Sequence, residues 1–439
     1  MSEHRWTRRR FLQDLGLGLG AGIAGLGLGQ IAALVPRAAR ADDTTPLASK
    51  LVCIFCDGGI RSIDFCDAYP SATEAGDGFD VTGHDLSGCT DMGMGDWYLP
   101  PAAANLPTDK LAIVRHVNMQ TASHALGPMI GLTGQNRAGS PGIPVAVANA
   151  LTGGTFPGGL SFNRNVFTTD GYKSPIAGEP DDINALLSPV SGLSNDKLWR
   201  ALNTHNSRTQ GDFKANSRIH GWLQNWPLSE DIVRGTGSYE GLLDTSQSVE
   251  IAGISQALYK HYEDTSTRGA STTDDHAQRF AGAELALNNG LADVATIWMT
   301  GFDTHQSSQE SLCEELCNML ALLMDRVGTE DTLYIVMSDF DRTPAYNSSN
   351  GSDHWFYGSI PILGAGVTTG VYGGNCNRGD YPGVINGNDV DAESADTRGS
   401  IWANVLTAFG IDYREVLPLA IPVCGLLGAE TACTDGACT

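Results

Sequence analysis

The sequence predicts an α/β protein: a mostly parallel sheet flanked by helices, with an irregular inserted cap region. Three observations carry this expectation. Short apolar runs bounded by turn residues alternate with longer stretches of helical periodicity. The 398 residues from Asp42 to Thr439 suffice for one large domain or two medium ones. Aspartates and histidines also gather just after the apolar runs, where open parallel sheets bind their ligands.

The first 41 residues stand apart. Thr7-Arg8-Arg9-Arg10-Phe11-Leu12-Gln13 matches the twin-arginine export pattern at nearly every position. A glycine-rich apolar stretch, Leu15 to Leu34, follows, then Pro36 and the small-x-small site Ala39-Arg40-Ala41. The stretch is near the minimum length for a membrane span. Its glycines make it weakly hydrophobic, however, and the order of charged region, apolar region and cleavage site is that of a removable signal. The expected location is the periplasm, the cell surface or the medium, reached through the twin-arginine machinery. No other stretch approaches twenty apolar residues, so an integral membrane protein is not expected.

After the signal, Leu51–Cys56 reads as a buried strand ending in the tight turn Asp57-Gly58-Gly59. Leu111–Val114 is a second strand, followed by the polar stretch His116 to Ser123 and a small-residue helix ending near Thr133-Gly134. From about Thr152 to Thr273 the chain is rich in Gly, Ser, Asn and Asp with little periodicity, and reads as an insertion or cap over the sheet. A helix over Gln278–Leu287 precedes a third strand, Asp293–Met299. Gln309–Val327 is amphipathic, with Leu312, Leu316, Leu320, Leu323 and Met324 on one side. Thr332–Met337 and Ile360–Leu363 read as strands, and Ser400–Phe409 as a closing helix. Residues 420–439 form a cysteine-containing tail.

Charge narrows the function. The signal's six arginines against Glu3 and Asp14 carry +4, so the chain's −23 becomes −27 on the remainder. Such a surface repels phosphate backbones and anionic lipid, which argues against nucleic-acid binding. Clustered carboxylates can also hold divalent cations. Among the ten cysteines, Cys424, Cys433 and Cys438 suggest a disulfide-stapled C-terminus outside the cytoplasm. Cys53 and Cys56 resemble a metal or redox CxxC, but residues three apart on a strand face opposite ways and cannot clasp one ion. Cys313 and Cys317, one helical turn apart, read as packing residues or as disulfide partners of cysteines elsewhere.

The candidate chemistry follows the strands. Asp57 ends the first, and His116 and His124 come after the second. Gly301-Phe302-Asp303-Thr304-His305 follows the third, and Ser338-Asp339-Phe340-Asp341-Arg342-Thr343 the fourth, then Gly351-Ser352-Asp353-His354. Mixed Asp/His sets suit Zn, Mn or Fe, and carboxylate-dominated ones Mg or Ca. No Walker-type loop, dinucleotide fingerprint or G-x-S-x-G elbow is present.

Together with the signal, these segments resemble a secreted bacterial family known as domain of unknown function 1501. Its signatures G-[WF]-D-T-H, S-E-F-G-R-T and G-T-D-H-G occur in this order and at this separation. The family is grouped with the alkaline phosphatase-like superfamily, which includes sulfatases and phosphomutases. That kinship implies an α/β core, two divalent metals held by Asp and His, and hydrolysis or transfer of phosphate or sulfate esters. By resemblance, Asp57, Asp303, His305, Asp339 and His354 would hold metal, with Asp341 and Asp353 as further acidic candidates. In phosphatases and sulfatases a Ser, Thr or modified Cys precedes a Thr-Gly by nine positions. Here His124 stands at that offset from Thr133-Gly134, with Ser123 beside it, so either would attack or protonate, and Arg342 would steady the anion.

The chain also departs from the family pattern. Asp339 replaces Glu, Asp341 and Trp355 each replace Gly, and Gly58-Gly59-Ile60-Arg61 stands where the family has G-G-x-D. Two readings follow. One is an exported metal-dependent hydrolase of small or polymer-borne phosphate or sulfate esters. The other is a non-catalytic exported binding or assembly protein, partnered with other exported proteins, that keeps the fold without the chemistry.

Overall fold

The computed structural model describes residues 46–67, 90–91, 98–372 and 397–427, with two short strands at 384–385 and 388–389. Excepted within these are 153–158, 180–259, 266–269 and a few single or paired positions. The twin-arginine segment, most of the proposed cap and the cysteines at 433 and 438 lie outside the described residues.

Eight strands form the central sheet: β1 Lys50–Cys56, β2 Leu111–Asn118, β3 Leu160–Phe162, β4 Ile176–Gly178, β5 Val294–Met299, β6 Thr332–Ser338, β7 Tyr357–Gly364 and β8 Gly370–Tyr372. Their order across the sheet is β8-β2-β7-β6-β1-β5-β3-β4. Strand β1 lies parallel to both β5 and β6, and β3 parallel to both β5 and β4. Only β7 runs against its neighbours, β2 and β6, so β2 points the same way as β6. The expected mostly parallel α/β sheet is what forms. The first described part of the supposed insertion, β3 and β4, extends this sheet.

Strand β1 shows why the apolar runs fold this way. Six of its seven residues are buried. Val52, Ile54 and Cys56 face one core, and Leu51, Cys53 and Phe55 the other. A strand covered on both faces needs apolar residues at every position, hence the unbroken run. Cys53 and Cys56 accordingly point to opposite layers, and both are free thiols. Helices α1 (Ser62–Phe65), α4 (Ala270–Asn288) and α5 (Glu310–Val327) pack on the first face. The predicted stripe of Leu312, Leu316, Leu320, Leu323 and Met324 is buried there. Cys313 and Cys317 pack in the same layer as free thiols.

The second face is covered by α2 (Gly127–Thr133), α3 (Ile143–Thr152) and α6 (Arg398–Ala408). Helix α2 stops at Gly134, whose left-handed φ of 71° terminates it without steric cost. A capping box between Thr397 and Ser400 fixes where α6 begins. Beyond α6, Cys424 is disulfide-bonded.

One strand is longer than its sequence suggests. Strand β2 continues through Arg115 and His116 to Asn118, and the pairing with β7 shifts register between Gly358 and Ile360. The extra residue is a β-bulge, where His116 adopts φ 56°. Arg115 is buried there in a two-point ion pair with Asp67, at 2.8 and 3.2 Å. Two polar residues thus sit inside a strand because a buried carboxylate and a bulge accommodate them. Among the described residues, no helix is long and apolar enough to cross a membrane.

Candidate metal centre

The carboxyl ends of β1, β2, β5 and β6 open onto one edge of the sheet. Because β7 is antiparallel, its first residues meet them there. Each site segment leaves from this edge. His124 follows β2, Asp303 and His305 follow β5, and Asp339 follows β6. A two-stranded ribbon, Asp341–Arg342 paired with His354–Trp355, returns the chain to the same place before β7.

Glycines allow the segments to meet. A Cβ on Gly58, already at φ 119°, would lie 2.3 Å from the Asp303 nitrogen. A Cβ on Gly351 would lie 2.1 Å from the His305 carbonyl carbon. Neither contact can be relieved by a side chain moving aside, because both meet backbone. The loops that carry Asp303, His305 and His354 therefore fit together only with glycine at these two points. Gln309 adds a clamp, donating from Nε2 to the carbonyls of Gly59 (2.8 Å) and Phe302 (2.6 Å) while accepting from the Arg61 N–H.

His124, Asp303, His305 and His354 converge, with one ligand atom from each within 4.8 Å of the others. The tautomers follow from the neighbours. His124 Nδ1 faces Asp339 Oδ2 at 2.8 Å, His305 Nδ1 faces Asp353 Oδ1 at 3.2 Å, and His354 Nδ1 faces the Ala122 carbonyl at 2.8 Å. Carboxylates and carbonyls accept, so each Nδ1 carries the proton and each Nε2 presents a lone pair. Those Nε2 atoms are the ones that gather. His124 Nε2 is 3.6 Å and His305 Nε2 is 3.3 Å from Asp303 Oδ1, and the Nε2 atoms of His305 and His354 are 3.0 Å apart. Two bare lone pairs at that separation repel unless a cation lies between them. A tetrahedral ion with bonds of about 2.0–2.1 Å sets its ligand atoms about 3.4 Å apart. The donor set therefore fits a divalent ion.

The surroundings favour the ligand forms. Burial would raise the Asp303 carboxyl, but the Arg342 hydrogen bond and charge, with His124 and His305, hold it below the ordinary range. Burial, reinforced by the nearby Arg342 charge, lowers His354 and keeps it neutral. Phe340 forms an apolar floor, its ring centroid 4.1 Å from His354 and 4.8 Å from His124.

The remaining candidates take other places. Asp339 is fully buried behind His124, with Oδ2 also accepting from the Gly58 N–H at 3.1 Å, and burial pushes its carboxyl up to about 6. Asp353 stands behind His305. These are orienting carboxylates of the kind that fix and sharpen metal-binding histidines. Asp57 pairs with Arg164 at 2.7 Å. Asp341 is buried against Ser62 and the Arg342 N–H. Ser123 neighbours His124 in the chain, and its carbonyl accepts from the N–H groups of Leu126 and Gly127. Arg342 is buried, giving its donors to the carbonyls of Gly58, Gly59 and Ser352 and to Asp303 Oδ1 at 2.7 Å. It fixes a ligand from beneath. His116, inside β2, is not part of the cluster.

The sequence alone groups Asp303, His305 and His354 with Asp57, Asp339, Asp341 and Asp353 as ligand candidates and gives His124 a chemical role instead. It misses the Ala122 carbonyl, which no sequence pattern could announce, and Gln309, which looks like an ordinary helix-start residue. The chain belongs to the family described as protein of unknown function (DUF1501), whose family model matches residues 48–419. No curated protein matches it.

Proposed function

We propose that the protein is an exported metal-dependent hydrolase of phosphate or sulfate esters, built around one divalent ion. The observation that carries this reading is the convergence of ligand atoms from His124, Asp303, His305 and His354 within 4.8 Å of one another, three of the pairs at 3.0–3.6 Å, with each histidine held by an acceptor at Nδ1. His124, His305, His354 and Asp303 would hold the ion, which supplies Lewis acidity toward an ester oxygen and toward water. Asp339, Asp353 and the Ala122 carbonyl orient the imidazoles, and Arg342 anchors Asp303. The side chains of His124, Asp303 and His305 are 40%, 56% and 43% exposed, which leaves the centre open to a substrate. Zinc suits a set dominated by histidine, with Fe as the next choice.

One ion rather than two is part of the reading. Asp57 is engaged by Arg164 and Asp339 by His124, so two carboxylates of the family comparison serve other partners. The alkaline phosphatase-like assignment and the ester chemistry rest on the resemblance of the motifs. Action outside the cytoplasm rests on Thr7–Gln13. Replacing Arg8 and Arg9 by lysine should strand the protein in the cytoplasm, as read by cell fractionation.

The deciding experiment is elemental analysis of natively exported protein, with turnover of aryl phosphate and aryl sulfate esters before and after chelation. One metal per chain and chelator-sensitive turnover are expected. Metal-free folded protein would sink the reading. A full complement of metal without turnover would favour the non-catalytic binding protein.

A further inference from the structure

Arg398 opens α6 and is fully buried, with 0% of its surface exposed. Its Nη1 donates to the carbonyls of Ser338 (2.8 Å) and Asp339 (3.0 Å), and its Nη2 to the carbonyl of Met119. Those carbonyls belong to two different segments. One is the end of β6, which presents Asp339. The other leaves β2 and runs through Ala122 to His124. These segments meet in the Asp339–His124 hydrogen bond, so one guanidinium ties together the backbones on both sides of it.

The cation is held there at a cost. A buried guanidinium is expensive unless it is paired. Its hydrogen-bond acceptors here are main-chain carbonyls, and Nε has no partner among the described residues. The opposite charge acting on it is Asp339, while burial draws its pKa down to about 9. Space is reserved as well. A Cβ on Gly131 of α2 would come within 3.2 Å of Nη1 and 2.6 Å of the Phe55 ring. An apolar side chain at position 398 would serve stability at least as well.

We propose that Arg398 is a positioning residue of the centre, fixing Asp339 against His124 so that the His124 Nε2 lone pair points at the ion. This rests on the metal reading above, although the brace itself exists without metal. Arg398 touches neither ion nor substrate. It acts through the two backbone segments it ties together.

The test compares Arg398→Met and Arg398→Lys with Asn404→Ala. Asn404 lies on the same helix and bonds Val423 at both ends of its amide, at 2.9 and 2.7 Å, so its loss loosens α6 without touching the site. Two readouts are needed. One is the low-field proton resonance of His124 Nδ1–H in metal-free protein, assigned by its loss in His124→Ala. The other is titration with Co²⁺, followed by its visible spectrum. In Arg398→Met the resonance should shift or vanish and Co²⁺ should bind about 10–100-fold more weakly, as for other residues behind metal ligands. Arg398→Lys, which keeps the charge but not the three-carbonyl reach, should fall between. Asn404→Ala should lose thermal stability with both readouts unchanged.

The proposal is overturned if Arg398→Met keeps the resonance and binds Co²⁺ within twofold of the parent. It is equally overturned if Asn404→Ala loses both signals to the same degree. If Arg398→Met does not fold, Arg398→Lys decides by the same criteria. A parent protein that takes up no Co²⁺ would refute the metal reading, and the resonance alone would then decide the brace.

Discussion

Replacing Asp341 by asparagine should stabilise the protein above pH 7 while leaving its metal binding intact. Asp341 is 2% exposed, and its Oδ1 accepts from the N–H groups of Ser62 (3.0 Å) and Arg342 (2.6 Å). Its Oδ2 accepts from the Ser62 hydroxyl. Burial pushes the carboxyl from its ordinary 3.8 up to about 7, against these hydrogen bonds and with help from the Asp67 charge. Between about pH 4 and pH 7 the folded protein therefore keeps a proton that the unfolded chain has released. The unfolded state binds fewer protons in that window, so stability falls as pH rises through it. At about 1.4 kcal/mol per pH unit, the full effect is about 4 kcal/mol. Asparagine is neutral throughout and can keep the contacts. Its oxygen accepts from the two N–H groups and its amide donates to Ser62 Oγ, whose proton turns to the Ser359 carbonyl 3.3 Å away. Urea unfolding of both proteins from pH 4.5 to 8.5 measures the difference. The curves should start close together and diverge with rising pH, the variant ahead by up to about 4 kcal/mol at pH 8. A variant that is less stable at pH 8, or a difference independent of pH, would refute the reasoning. Loss of metal in the variant would return Asp341 to the ligand set.

Asp339→Asn keeps an acceptor for His124 Nδ1 and the Gly58 N–H but removes the charge, so zinc affinity by calorimetry should drop about 10–100-fold with little change in fold. Gly351→Ala drives a Cβ to 2.1 Å from the His305 backbone, and should cost metal affinity at least as much while the far-ultraviolet circular dichroism is retained. The free thiols Cys53, Cys56, Cys66, Cys313 and Cys317 are buried, and burial pushes each far above the ordinary thiol range. They should resist a thiol reagent at pH 8 until denaturant is added, and rapid labelling of any of them in folded protein would contradict this packing. Zinc binding, followed by calorimetry, should weaken as pH falls, because each Nε2 must be unprotonated to bind.

The sheet was legible because burial on both faces leaves no room for polar positions. Leu51–Cys56 and Thr332–Met337 show it as unbroken apolar runs, and their ends fell within a residue of the true strands. The end of β2 was not legible. Arg115 and His116 look like the start of a loop, and Asp67, 48 residues away in sequence, together with the bulge at His116, makes them a buried part of a strand. Long-range ion pairs of this kind leave no local pattern.

The centre was legible in kind but not in its division of labour. Motif spacing marks which aspartates and histidines reach the sheet edge, and four of them do form the cluster. It does not reveal which carboxylate joins the cluster and which stands behind an imidazole. That choice is made by a few ångströms of backbone. Asp303 rides over Gly58 into the open, whereas Asp339 is packed against α2, where a Cβ on Gly127 would come within 2.6 Å of its own Cβ. Held there, Asp339 reaches His124 Nδ1 at 2.8 Å and remains fully buried. Asp339 therefore serves the His124 imidazole and not the centre of the cluster. The same logic places Arg342 and Arg398 beneath the centre. Each spends its donors on carbonyls of the segments that must hold still, and a buried arginine bound to carbonyls has no sequence signature beyond its own letter.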